Sequence, residues 1–339
     1  MPAARLVDRD PVVPRDRLLA DLVPPPHFAA VSFEGYRADP AQPTQRRAVE
    51  ALQAFAQRLG ERPSGGGLRR LLGRAGRDAG RAGVYLDGGF GVGKTHLLAA
   101  LWHVAPGPKA FGTFVEYTNL VGALGFREAV TALSANRLVC VDEFELDDPG
   151  DTVLMARLLR ELADAGVRLA ATSNTLPDAL GEGRFAADDF LREIQAVSGH
   201  FEVVRIDGED FRHRGNPVPP DPLPDDAVER QVAGDGAVVD DFHALTDHLA
   251  TVHPSRYGAL LDGVALAGWR GVEQVEDQNV ALRLVALVDR MYDRDVVLRT
   301  SGVPLDGLFT AEMLAGGYRK KYRRALSRLT AMARADVPA

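Results

Sequence analysis

Residues 83–104 read GVYLDGGFGVGKTHLLAALWHV. GVYLD (83–87) has the length and composition of a buried strand, and HLLAALWHV (96–104) reads as an apolar helix. Between them GGFGVGKT (88–95) is G-x-x-x-x-G-K-[ST], in the strand–turn–helix setting that makes this pattern a phosphate cradle. Glycines let successive N–H groups curl round a phosphate without Cβ clashes, and the helix N-terminus adds partial positive charge there. The expectation is a site for ATP and Mg²⁺ built on Gly88, Gly89, Phe90, Gly91, Val92 and Gly93. Lys94 would meet the β- and γ-phosphates, and Thr95 would ligate the Mg²⁺.

The strand–helix alternation continues outward from this stretch. TFVEY (113–117), RLVCVD (137–142), VRLAATS (167–173) and HFEVVRI (200–206) read as strands, with a helix over 151–166. Alternation of this kind predicts a parallel sheet covered by helices on both faces. Upstream, 1–32 reads as an irregular arm and 40–59 as an amphipathic helix. The glycine- and arginine-rich 64–83 reads as a mobile connection. Downstream, the proline-rich 215–235 is an expected linker. The segment 236–339 is a smaller domain with helices near 241–252, 279–293 and 318–334 and a strand near 296–301. No internal repeat is apparent.

LVCVDE (138–143) supplies what hydrolysis needs beyond binding. A buried strand ends in two acids at the edge where parallel sheets place ligands. Asp142 would hold Mg²⁺ opposite Thr95, and Glu143 would act as general base on the attacking water. ATSN (171–174) ends the next strand, so the Asn174 amide can hold the lytic water or a γ-phosphate oxygen. These elements together describe an additional-strand, catalytic-glutamate ATPase.

Composition narrows the classes. The chain has 339 residues, 46% hydrophobic and 26% charged, with a formal net charge of −7. That charge argues against a protein built to coat nucleic acid. One cysteine, Cys140, excludes a disulfide framework, and a cytoplasmic setting is expected. The N-terminal residues have no secretory h-region, and no run of apolar residues is long enough to span a membrane. YRKKYRRALSRL gathers Arg319, Lys320, Lys321, Arg323, Arg324 and Arg328 on one helix. It reads first as a solvated face, with an acidic partner, a neighbouring subunit or a membrane surface as the alternative contact.

GGFGVGKTHLL, VDEFELDD, ATSNTLPDAL, LREI, LVDRMYDRDV and RRALSRLTAM, with DPAQ (39–42) ahead of a helix, resemble the ZapE-like division ATPases. This AAA+ family also includes the mitochondrial lactation-elevated ATPase. The resemblance covers about 33–334 and implies an ATPase core over 33–214 followed by a small, mostly helical lid. It maps Asn174 to sensor 1 and Arg283 to a sensor-2 position. It also implies a homo-oligomer in which an arginine acts in trans, Arg184 or alternatively Arg192, although GEGRFAADDFLREI departs from the family pattern there. The implied activity is ATP hydrolysis coupled to remodelling of a protein client, the tubulin-like division protein among the candidates. A helicase-loader-like, nucleic-acid-associated ATPase is the alternative. It would need aromatic and basic residues interleaved for single strands, and the chain shows none.

Overall fold

The computed structural model describes residues 4–60, 82–89, 91–144, 149–174, 199, 201–208 and 218–337. Five strands form one parallel sheet: β1 (Gly83–Gly88), β2 (Lys109–Thr113), β3 (Leu138–Asp142), β4 (Arg168–Ser173) and β5 (Phe201–Ile206). Their order is β2-β3-β4-β1-β5. β4 therefore separates the phosphate-loop strand from the acid-bearing strand, the arrangement of a P-loop NTPase with an additional strand.

Strand residues alternate between two apolar layers, as a sheet covered on both faces requires. Val84, Leu86, Cys140 and Ala170 pack with α2 (Pro43–Gly60) and α3 (Lys94–Val104). Tyr85, Val139, Val141 and Leu169 pack with α4 (Phe114–Leu124), α5 (Phe126–Leu133) and α6 (Pro149–Asp164). Cys140 is wholly buried and burial pushes its thiol up, which leaves it a core residue.

One strand expectation fails. TFVEY does not extend; Thr113 ends β2 and caps α4. The Thr113 hydroxyl accepts from Glu116 N–H while the Glu116 carboxylate accepts from Thr113 N–H, a reciprocal capping box that overrides the β-branched composition. The strand is the preceding KAFGT.

By its contacts the chain divides into two compact units: Arg15–Pro24 with Phe28–Arg214, and Met1–Pro14 with Pro25–His27 and Gly215–Ala339. The second unit contains helices α7 (Asp225–Gln231), α8 (Phe242–Thr251), α9 (Tyr257–Leu260), α10 (Gln278–Asp293), α11 (Ala311–Ala315) and α12 (Arg319–Arg334). To these it adds a parallel sheet of β6 (Ala237–Asp241), β7 (Leu266–Val272) and β8 (Val297–Gly302), of which the sequence reading found only the last.

The expected irregular arm over 1–32 is ordered across its described residues. Ala4 bridges to Val238, Leu6 is fully buried, and the Asp240 carboxylate accepts from the N–H groups of Leu6 (3.0 Å) and Val7 (3.1 Å). Residues 15–20 form a short helix counted with the first unit.

Candidate nucleotide site

The phosphate-pattern residues sit where β1 hands over to α3. Gly91 (φ 69°) and Gly93 (φ 84°) are left-handed, and Gly93 N-caps α3. A Cβ on Gly93 would lie 2.6 Å from the Tyr36 ring, and one on Gly88 would lie 2.3 Å from the Ile206 carbonyl. Close packing therefore demands both glycines, and at Gly93 the left-handed backbone demands it as well. Phe90 lies outside the described residues.

Lys94 is buried, and its Nζ donates to the carbonyls of Gly88 (2.8 Å) and Gly89 (2.5 Å) and to Asn174 Oδ1 (2.8 Å). Thr95 Oγ1 donates to the Asp142 carboxylate, 2.9 Å to Oδ2 and 3.2 Å to Oδ1. Three sequence segments separated by up to 80 residues thus meet at one sheet edge.

Asp142 is buried at 5% exposure, and its pKa is pushed up to about 6. Burial is the main cause and the neighbouring Glu143 adds to it, opposed by Thr172, Thr95 and Lys94. Two adjacent acids at a desolvated edge, with the Thr95 and Thr172 hydroxyls aimed at the first, form a hard oxygen donor set suited to Mg²⁺. The residues fit the ion.

Thr172 escaped the sequence reading. Its Oγ1 donates to Asp142 Oδ1 (2.5 Å) and accepts from Glu143 N–H (2.9 Å). Glu143 sits at φ 53°, a strained region for glutamate, and Phe144 N–H continues the tether to the Thr172 carbonyl at 2.7 Å. The signal was present in ATSN, but only the hydrogen bonds made where β3 and β4 end side by side show that the threonine, one place before the serine, faces the acids. Tyr36 and Gln45 also escaped it. The Tyr36 hydroxyl donates to Val92 O at 2.7 Å, and Gln45 links Asp39 N–H (2.8 Å) to Asp207 O (2.9 Å), fastening the DPAQ segment to the end of β5.

A family model described as AFG1-like ATPase matches residues 12–220 and 222–339. The chain belongs to the AFG1-like ATPase family. It is 30% identical over 192 residues to the cell division protein ZapE of Escherichia coli K12, covering 50% of this chain and 51% of that protein. Over 78 residues it is 33% identical to lactation elevated protein 1 homolog B of Danio rerio, covering 23% and 16% of the two chains. The AMPPCP-bound DnaA of Aquifex aeolicus is similar at TM-score 0.40 and 15% identity, covering 54% and 52%. The chain spans about half the length of the ZapE proteins it matches.

The remaining expected residues of this AFG1-like ATPase are three arginines and the cations of the basic helix. Arg184 and Arg192 lie outside the described residues. Arg283 is half-buried on α10 of the second unit, beside Tyr257. Of the six cations on the basic helix, Arg324 and Arg328 turn inward to Asp289, while Arg319, Lys320 and Arg323 are exposed. No helix among the described residues is long and apolar enough to cross a membrane.

Proposed function

We propose that this chain is a AAA+ ATPase that hydrolyses Mg-ATP to remodel a protein partner, in the division-related role suggested by the name of its relative ZapE. The observation that carries the reading is the junction at which Lys94 meets Asn174 while Thr95 meets Asp142. The proposed core is 33–214; the expected linker over 215–235 instead carries α7, with Val228 buried, and belongs with the smaller domain over 236–339.

In this reading the loop N–H groups over 88–93 and the Lys94 ammonium bind the β- and γ-phosphates. Thr95 and Asp142 hold Mg²⁺, which when bound neutralises charge on the phosphate oxygens. Asn174 orients a γ-phosphate oxygen or the lytic water. Glu143 takes the proton from that water as its oxygen bonds to the γ-phosphorus. The bond from phosphorus to the bridging oxygen breaks, and ADP leaves with the electron pair. An arginine from a neighbouring copy, Arg184 or Arg192, stabilises the spreading negative charge. The tubulin-like division protein is the proposed client, and the cytoplasm the proposed setting.

Two variants test the reading. Lys94→Ala is expected to abolish nucleotide binding or turnover, and normal hydrolysis by it would defeat the assignment. Glu143→Gln is expected to keep ATP bound while turnover falls about 10²–10⁴-fold, the range for a lost general base. Used as a trap in a pull-down, Glu143→Gln should hold the client together with ATP. Recovery of the division protein would support the proposed client, and its absence from the trapped complex would reject it.

A further inference from the structure

The three strands of the second unit repeat three adjacent strands of the first. A shift of 128 positions (109 to 237) carries β2 onto β6 and β3 onto β7 with pairing preserved. Lys109 lies opposite Leu138 and Thr113 opposite Asp142, as Ala237 lies opposite Leu266 and Asp241 opposite Arg270. A shift of 129 (168 to 297) carries β4 onto β8, with Leu138 opposite Arg168 and Leu266 opposite Val297.

Local details follow the same shifts. Thr113 caps α4 through Glu116 N–H as Asp241 caps α8 through Ala244 N–H, and both helices open on a buried phenylalanine, Phe114 or Phe242. Met155, Leu159 and Leu162 on the buried face of α6 fall on Leu284, Val288 and Met291 of α10. Both helices leave through a left-handed residue, Gly166 or Asp295. The next N–H then reaches back five residues, Val167 to Leu162 (3.0 Å) and Val296 to Met291 (3.1 Å). Glu143 (φ 53°), just after β3, and Gly271 (φ 63°), at the bulge near the end of β7, occupy one place. The N–H of each lies 2.9 Å from a hydroxyl, that of Thr172 or Ser301. Even the edges agree: Phe111 N–H donates to Leu22 O and Val239 N–H to Ala4 O, both at 2.9 Å. Any one of these motifs is common; shifts of only 128 and 129 through the strands, caps and helices mark one architecture used twice.

The copies part where the phosphate site lies. Leu86 pairs with Thr172, and Leu223 bridges to Ser301. From Leu86 the chain runs through residues 87–93 before α3 begins at Lys94, whereas Pro224 alone separates Leu223 from α7 at Asp225. The phosphate loop has no counterpart. Arg270 stands in the place of Asp142 and pairs with Glu229, and the Ser301 hydroxyl donates to Asp225. A cation occupies the position of the metal-binding carboxylate. Asp225 and Asp226 fill the first turn of α7, where an incoming phosphate would be repelled.

We infer that residues 218–302 are a degenerate second copy of the nucleotide-binding half-sheet that has lost its phosphate loop, so that the chain binds nucleoside triphosphate at one site only. The count of one rests on the site proposed above; the loss in the second copy does not. Equilibrium dialysis of the full chain against radiolabelled AMPPCP and Mg²⁺ is expected to saturate at one per chain, and at none for Lys94→Ala. Two per chain, or one retained in Lys94→Ala, would overturn the inference. No binding by either protein would instead reject the first site and leave the second copy empty as inferred. A paired measurement compares equivalent hydroxyls: Ser301→Ala should lower the melting temperature yet keep turnover within twofold of wild type, whereas Thr172→Val should lower turnover tenfold or more. An equal loss of turnover from Ser301→Ala would count against the division of roles between the copies.

Discussion

At the residue scale, Thr172 joins the two acids into one device. Its hydroxyl is spent twice, donating to the Asp142 carboxylate and accepting from the Glu143 amide. Bonds to a charged partner contribute about 1.5–3 kcal/mol, and the second bond helps hold Glu143 at its positive φ. Thr172→Val keeps the shape and removes both bonds. The expected outcome is turnover lowered roughly tenfold or more with nucleotide affinity little changed, and Thr172→Ser restoring most of it. Steady-state kinetics beside a binding titration checks this, and equal loss in the serine and valine variants would refute the hydroxyl's role. Reading residues alone singled out Lys94, Thr95, Asp142, Glu143 and Asn174 as candidates, because each stands at a fixed offset from a strand end. Thr172 carries no such mark until β3 and β4 are paired.

At the element scale, α10 and α12 are clamped by a buried ion cluster. Asp289 receives Arg324 at 2.9 Å and also Arg328, whose guanidinium lies over the Tyr292 ring. Burial alone would raise the Asp289 pKa, but the two arginines outweigh it and hold the carboxyl below its ordinary 3.8. A lowered folded-state pKa adds stability that is fully present above 3.8 and is lost as pH falls through the folded value. Asp289→Asn leaves two mostly buried cations without their carboxylate and should cost about 3 kcal/mol at neutral pH. Urea midpoints of wild type and variant should converge as pH falls below 3.8; a constant gap would contradict the mechanism. The basic composition of this helix suggested a solvated face because composition does not show which cations point inward. The same limit explains TFVEY, whose β-forming residues were overruled by a two-residue capping box.

At the scale of the whole molecule, the proposed arginine acting in trans would make turnover a property of the assembly. Specific activity is therefore expected to rise with protein concentration until the oligomer saturates, and sedimentation velocity should show the matching growth in size. Constant activity from a stable monomer would reject the trans-arginine reading.

The phosphate loop, the acid pair, the strand–helix alternation and the family were all legible in the sequence. These signals are local: a glycine demanded by a positive φ, an apolar run of strand length, an acid at its end. The strand order, the meeting of Thr172 with both acids, the burial of Leu6 beside Asp240 and the second parallel sheet were decided only by the tertiary structure. The internal repeat belongs with them. Its two copies share register, caps and buried positions rather than residue identities, and packing accepts many apolar side chains at the same place in a fold. GGFGVGKT marks one copy because phosphate binding tolerates little variation in the loop. The other copy, freed of that demand, kept the sheet and lost the sequence by which it could be recognised.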